Sequence, residues 1–250
     1  ADKLATLKYH PLAEVRETVE KILANLKEKY PSSFSHKVYE SQEKYRECVS
    51  KNYTYFGDKK LAKEFSFSTT IRSADLDKYK ALIKKRPQKT NLPHFLTDLG
   101  LNTFEFYLDF GSFRDIQRHR NGVCRMPLVT TKFGFNKWYL EQLPDSVRKE
   151  AEKLIKEQKN SIAKLKAPKE DLQYYIAMGF NIACKVTYGL PATIYTAELR
   201  SGRMVHPTLR TIALKMCEIL QKRFPNLTVH ADTSLNDWDI RRGLQDIRKK

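Results

Sequence analysis

No run of about 18 apolar residues occurs in the chain, so a membrane-spanning helix is excluded. Cysteine is scarce: Cys48, Cys124, Cys184 and Cys217 stand too far apart for a CxxC metal or redox motif and do not suggest a disulfide scaffold. A reducing compartment is therefore expected, intracellular, in the cytoplasm or the mitochondrial matrix. Phosphate loops of the GxxxxGK and GxGxxG kinds are missing, as are internal repeats and low-complexity linkers. There is no secretory h-region behind Ala1, and the chain is expected to be processed or cut from something longer. Metal chemistry has little to build on, because His206 has no second His or Cys at ligand spacing. Cys124 has no identified base, so it is expected to be a packing thiol despite the neighbouring Arg125.

What the chain does have is positive charge. Lys and Arg outnumber Asp and Glu by 46 to 29, a net +17 that suits RNA, an anionic cofactor or an acidic assembly without choosing among them. With 250 residues, 41% of them hydrophobic, the chain can bury a real core as one large domain or two small ones.

Periodicity places the elements. Leu12, Val15, Val19, Ile22, Leu23 and Leu26 form an apolar helical stripe that stops before Pro31. YESQEKYRECVSKNY and LDKYKALIKKRP read as two further helices, the second ending at Pro87. Alternating aromatics predict a strand over Thr103 to Leu108, followed by a helix with Phe113, Ile116 and Gln117 inward. A lysine-rich helix is expected from a cap at Asp145 or Ser146 towards Pro168, its lysines a solvated face or an RNA-binding or membrane-surface one. The segment from Tyr174 to Leu199 has the β-branched and aromatic content of strands interrupted by glycines. Pro207 opens a helix whose Leu209, Ile212, Ala213, Met216 and Leu220 form a buried stripe. The expected fold class is α/β or α+β, with a mainly helical region over 1–90 and a core over 91–250.

One stretch stands out: RDIQRHRNGVCRMP, residues 114–127. Arg114 and Arg118 fall at i and i+4, where like charges cost a few tenths of a kcal/mol unless an anion or carboxylate lies between them. Asp115 can meet His119 at the same spacing. That pairing leaves the two arginines on their own, so the cluster is either an anion site or a solvated basic patch.

RHR after an aromatic strand, and LRSGRMVHPTLR about eighty residues later, together resemble the flavin-dependent thymidylate synthase family. That family carries RHRxxSxNExSxRY and LRxxxxAQxEIR. Leu199 and Arg200 match the Leu-Arg of the second motif, and Leu209 and Arg210 match its Ile-Arg at the same spacing. TFEF at 103–106 looks like the family's Phe-Thr-Phe strand. The likeness covers mainly residues 90–223. It implies a twisted sheet with packed helices and flavin sites built between subunits of a homo-oligomer, and the N-terminal helices have no counterpart in it. Arg118, His119 and Arg120 match the residues that approach the flavin, FAD; His206, in the second segment, is grouped with them as a candidate cofactor-binding residue, and Arg200 and Arg210 match nucleotide-binding ones.

The departures are extensive. Val123, Arg125, Met126, Leu128, Thr130 and Thr131 stand where the first motif has Ser, Asn, Glu, Ser, Arg and Tyr. Tyr174, Ala177, Met178, Leu190 and Ala192 replace an Arg, a Leu-Pro and an Asn-x-Arg. Val205-His206 replaces Ala-Gln, and Thr208 replaces Glu. The lost groups are those that hold a uracil ring and a 5′-phosphate, whose charge needs fixed donors to offset its desolvation. The resemblance thus implies a divergent enzyme with an impaired nucleotide site. Any activity would be flavin-dependent methyl transfer and reduction on a uracil nucleotide, and no residue is assigned a catalytic role. The alternative is a non-catalytic structural or RNA-contacting subunit of a larger assembly.

Overall fold

The computed structural model describes residues 2–53 and 60–236. The N-terminal part is helical: α1 (Asp2–Leu7), α2 (Ala13–Lys29) and α3 (Glu40–Tyr53). α2 carries the expected stripe, with Val19 buried, Leu12, Val15, Leu23 and Leu26 half-buried and Ile22 exposed. β1 (Phe65–Thr69) follows, then α4 (Ser73–Asp77) and α5 (Lys80–Lys85). The single helix expected before Pro87 is thus two pieces. The chain leaves helical geometry at Tyr79, whose ring packs on Phe95 at 5.6 Å.

β2 (Leu101–Asp109) runs directly into α6 (Phe110–Ile116), and β3 (Gly122–Cys124) comes next. After α7 (Lys137–Glu141), α8 (Asp145–Lys164) and α9 (Lys169–Leu172), β4 (Asn181–Gly189) runs directly into α10 (Leu190–Arg200), and α11 (Pro207–Arg223) closes the described chain. The sheet order is β1-β2-β4-β3, antiparallel throughout. β1 precedes residue 90 yet pairs with β2, so the region over 1–90 contributes an edge strand to the same sheet. Residues 237–250, the end of the region expected to form the core, lie outside the described residues.

The alternation in β2 has the anticipated meaning. Asn102, Phe104, Phe106 and Leu108 are buried and stand opposite Tyr188, Val186, Cys184 and Ile182 of β4. Those residues share one core with α6, α10 and α11, which brings Phe113, Leu190, Ile194, Leu209 and Met216 together. The other face is more polar, with a Thr103–Thr187 hydroxyl contact of 3.0 Å and a Glu105–Lys185 ion pair of 3.0 Å. The fold is mixed α/β.

Three local expectations need correction. The segment after Gly189 is a helix rather than a strand. Pro191 sits in its first turn, and burial of Thr193, Ile194 and Thr196 overrides their weak helix propensity. The helix after β2 ends at Ile116, leaving RHR in the turn beyond it and Gln117 exposed. α8 starts after Pro144 without a side-chain cap and ends at Lys164, and Pro168 instead precedes α9. No helix among the described residues is long and apolar enough to cross a membrane.

Candidate functional site

The turn carrying Arg118, His119 and Arg120 is clamped at both ends. On one side α6 is held to β2 by Asp109, whose side chain accepts the Ser112 N–H at 2.9 Å as a helix cap. On the other, Gly122 begins β3 opposite Tyr188. A Cβ at residue 122 would lie 2.2 Å from the Tyr188 ring, so only glycine lets β3 approach β4 this closely.

Arg200, the last residue of α10, reaches across to this turn. Its Nε donates to His119 Nε2 at 2.9 Å, and a terminal nitrogen donates to the Asp115 carbonyl at 2.9 Å. That carbonyl is among the last of α6, which lack intrahelical partners, and a guanidinium is well suited to satisfy it. The Asp115 carboxylate lies 3.7 Å from Arg200 and 3.5 Å from Arg118 Nε. Asp115 therefore serves the two arginines rather than His119, and Arg118 does not stand alone. Arg114, Arg118 and Arg120 are exposed. Burial, reinforced by the Arg200 charge and opposed by Asp115, pushes the His119 pKa down to about 4.

The Tyr195 ring meets His119 edge-on at 5.8 Å. Tyr195 also lines a cavity of about 680 Å³ together with Leu92, Ile194, Leu199 and the lip residue Lys89, whose backbone is left-handed with φ 59°. The wall includes Arg86 and Glu198, a pair the sequence reading did not single out. Arg86 donates to both carboxylate oxygens of Glu198 and to the carbonyls of Thr90 at 2.8 Å and Thr228 at 3.0 Å. Glu198 also accepts the His230 N–H at 2.7 Å. Only tertiary contact could reveal this pair, since its members are 112 residues apart.

The other matched positions lie elsewhere. Arg210 is buried, and its guanidinium donates to the carbonyls of Ser201 at 2.7 Å, Asp232 at 2.9 Å and Ser234. It ties the 232–234 segment to the turn after α10. His206 precedes α11 and packs at the opposite end of α6 from His119, with its Nδ1 2.8 Å from the Thr208 hydroxyl and 3.3 Å from that of Ser112. Trp138 and Tyr139 flank its ring, and burial lowers its pKa. Beneath it, Asp109 also accepts the Tyr139 hydroxyl at 3.0 Å, and its second oxygen is buried with no partner among the described residues. The one sequence signal for Asp109 was an aspartate three residues before a serine at a strand-to-helix junction. Cys124 is a packing thiol, pushed by burial up to about 11. Among the described residues no group of three or more His, Cys, Asp or Glu side chains is placed to hold a metal.

No family model matches the chain. Among curated proteins it is 29% identical over 181 residues to a UPF0159 protein of Thermoplasma acidophilum, covering 71% of this chain and 36% of that protein. It is 31% identical over 151 residues to a UPF0159 protein of Chlamydia pneumoniae, covering 59% of this chain and 28% of the other. The chain thus spans about a third of the length of the relatives it matches, and the name UPF0159 specifies neither substrate nor activity.

Proposed function

We propose that the chain is a divergent flavin-dependent thymidylate synthase-like protein with an impaired nucleotide site, retaining a site for FAD or another anionic ligand at Arg118, His119 and Arg120. The observation that carries this reading is the hydrogen bond between Arg200 and His119. It joins the two motif segments beside a cavity large enough for an organic ligand. The residues present suit an anionic group. Arg118 and Arg120 are exposed on either side of a neutral imidazole, and guanidinium forks are the side chains best matched to phosphate. When bound, a flavin supplies hydride chemistry, while the chain supplies charge, orientation and a hydrophobic wall.

The nucleotide half is weak because its two matched arginines are engaged within the fold. Arg210 places donors on three backbone carbonyls, and Arg200 is engaged with His119 and Asp115. These contacts hold the Nε and one terminal nitrogen of each arginine, so neither guanidinium offers its full fork to a substrate phosphate. That same engagement favours the second reading, a non-catalytic subunit in which α8 offers the exposed Lys149, Lys153, Lys156 and Lys164 to RNA or an acidic partner. FAD titration followed by fluorescence quenching tests the first reading. Saturable binding that is lost in Arg118→Ala/Arg120→Ala supports it. No binding at low salt, with RNA binding of steep salt dependence, supports the second.

A further inference from the structure

Arginine carries only donors and stays protonated throughout the range in which proteins fold. Arg200 directs its Nε–H at Nε2 of His119, 2.9 Å away and 81 residues distant in the chain. The ring nitrogen that faces it must accept. A neutral imidazole has one donor and one acceptor nitrogen, so the ring proton of His119 resides on Nδ1. A second proton on Nε2 would point at the Arg200 N–H and break the contact.

The surroundings reinforce that assignment. From α10 the ring faces Arg200 and the Tyr195 edge, and from α6 it faces Asp115; on its own turn it lies between Arg118 and Arg120. Among the described residues the carboxylate acting on the ring is Asp115, which lies between Arg200 and Arg118. It balances guanidinium charge on both sides, and its pull towards an imidazolium is outweighed by burial and the Arg200 charge. Nδ1 of His119 makes no hydrogen bond among the described residues.

We propose that Arg200 locks His119 as the neutral Nδ1–H tautomer, a hydrogen-bond donor unchanged between pH 8 and pH 5.5 that takes a carbonyl or phosphate oxygen of the ligand. Arg200 is on this view a positioning residue. The charge of the ligand is met by Arg118 and Arg120, while His119 adds direction and acts neither as a cation nor as a base through Nε2. The ligand half of the proposal rests on the anion-site reading above, whereas the tautomer is a property of the protein alone.

Long-range proton–nitrogen NMR spectra of the full chain with labelled histidine, His119 being identified by its loss in His119→Gln, test the tautomer. The expected spectrum has a protonated Nδ1 and an unprotonated Nε2 that do not change between pH 8 and pH 5.5. A proton on Nε2, or a titration midpoint near 6.5, overturns the proposal. In Arg200→Met the midpoint should rise towards the ordinary histidine value, and an unchanged midpoint also overturns it. Should that variant fail to fold, the wild-type spectrum decides. FAD, whose charge is constant over this range, should bind the wild type with affinities at pH 5.5 and 7.5 within twofold of each other; a larger change overturns the ligand half. Absence of FAD binding at both pH values overturns the anion-site reading and the ligand half together, with the tautomer still decided by NMR.

Discussion

Arg86 and Glu198 form a buried two-pronged ion pair that fastens the loop after α5, the helix α10 and the segment around Thr228 and His230 to one another. Their side chains are 4% and 13% exposed, so removing one partner leaves the other charged and out of water. Glu198→Ala or Arg86→Met should each cost about 3–5 kcal/mol in urea unfolding, while the apolar double variant Arg86→Met/Glu198→Leu should recover most of that loss. A double variant no more stable than either single one would show that the pair is not the fastening.

Gly122→Ala should destabilise the chain by about 1–3 kcal/mol, because the added methyl meets the Tyr188 ring and the Thr187 carbonyl rather than open space. Gly134→Ala, where φ is +77° but no atom lies near the new methyl, separates backbone strain from overlap. Overlap predicts that Tyr188→Ala reduces the additional penalty of Gly122→Ala and leaves that of Gly134→Ala unchanged, as a double-mutant cycle would read.

Arg118→Ala/Arg120→Ala should lose at least tenfold in FAD affinity with the urea midpoint little changed, since both side chains are exposed and two charge-assisted contacts are each worth about 1.5–3 kcal/mol. Lys153→Ala/Lys156→Ala on α8 should leave FAD affinity within twofold. Equal losses in the two variants would reduce the site to general basic charge.

Stability should fall as the pH drops from 6.5 to about 4. The folded-state pKa of His119 lies near 4, below its unfolded value, so the unfolded chain binds more protons across that window and gains from acidification. His10 and His206 are shifted in the same direction by burial. Urea midpoints at pH 7 and pH 5 measure the slope, and His119→Gln should flatten it. An unaltered slope in that variant would remove His119 as a contributor.

Thiol labelling of the native chain at pH 8 should begin at the exposed Cys48. Cys124, pushed up to about 11, and Cys217, pushed up to about 12, should react only slowly, as should the buried Cys184, because the thiolate is the reactive form and burial opposes it. Fast labelling of Cys124 would point to an opening of the β3 edge.

Elements whose own residues dictate burial were legible in the sequence. The stripe of Leu209, Ile212, Ala213, Met216 and Leu220 behind Pro207 became α11 with every member buried, and the alternation in TFEFYL became β2. Local periodicity suffices there because one face is apolar for the full length of the element. Leu190 to Arg200 misled because its Thr and Ile content suits a strand, and only packing against β2, β4 and α11 repays the side-chain restriction of a helix. The weakly amphipathic LDKYKALIKKRP likewise yielded to the packing of Tyr79 on Phe95.

The site divides along the same line. That RHR is basic and follows a strand and a short helix was determined by order along the chain. Which arginine meets which partner was not, because an arginine's donors are satisfied by whatever acceptors folding brings within reach. Tertiary structure sent Arg200 to His119, Arg210 to three carbonyls and Arg86 to Glu198, in each case because a buried guanidinium left without acceptors would cost more than the fold can sustain.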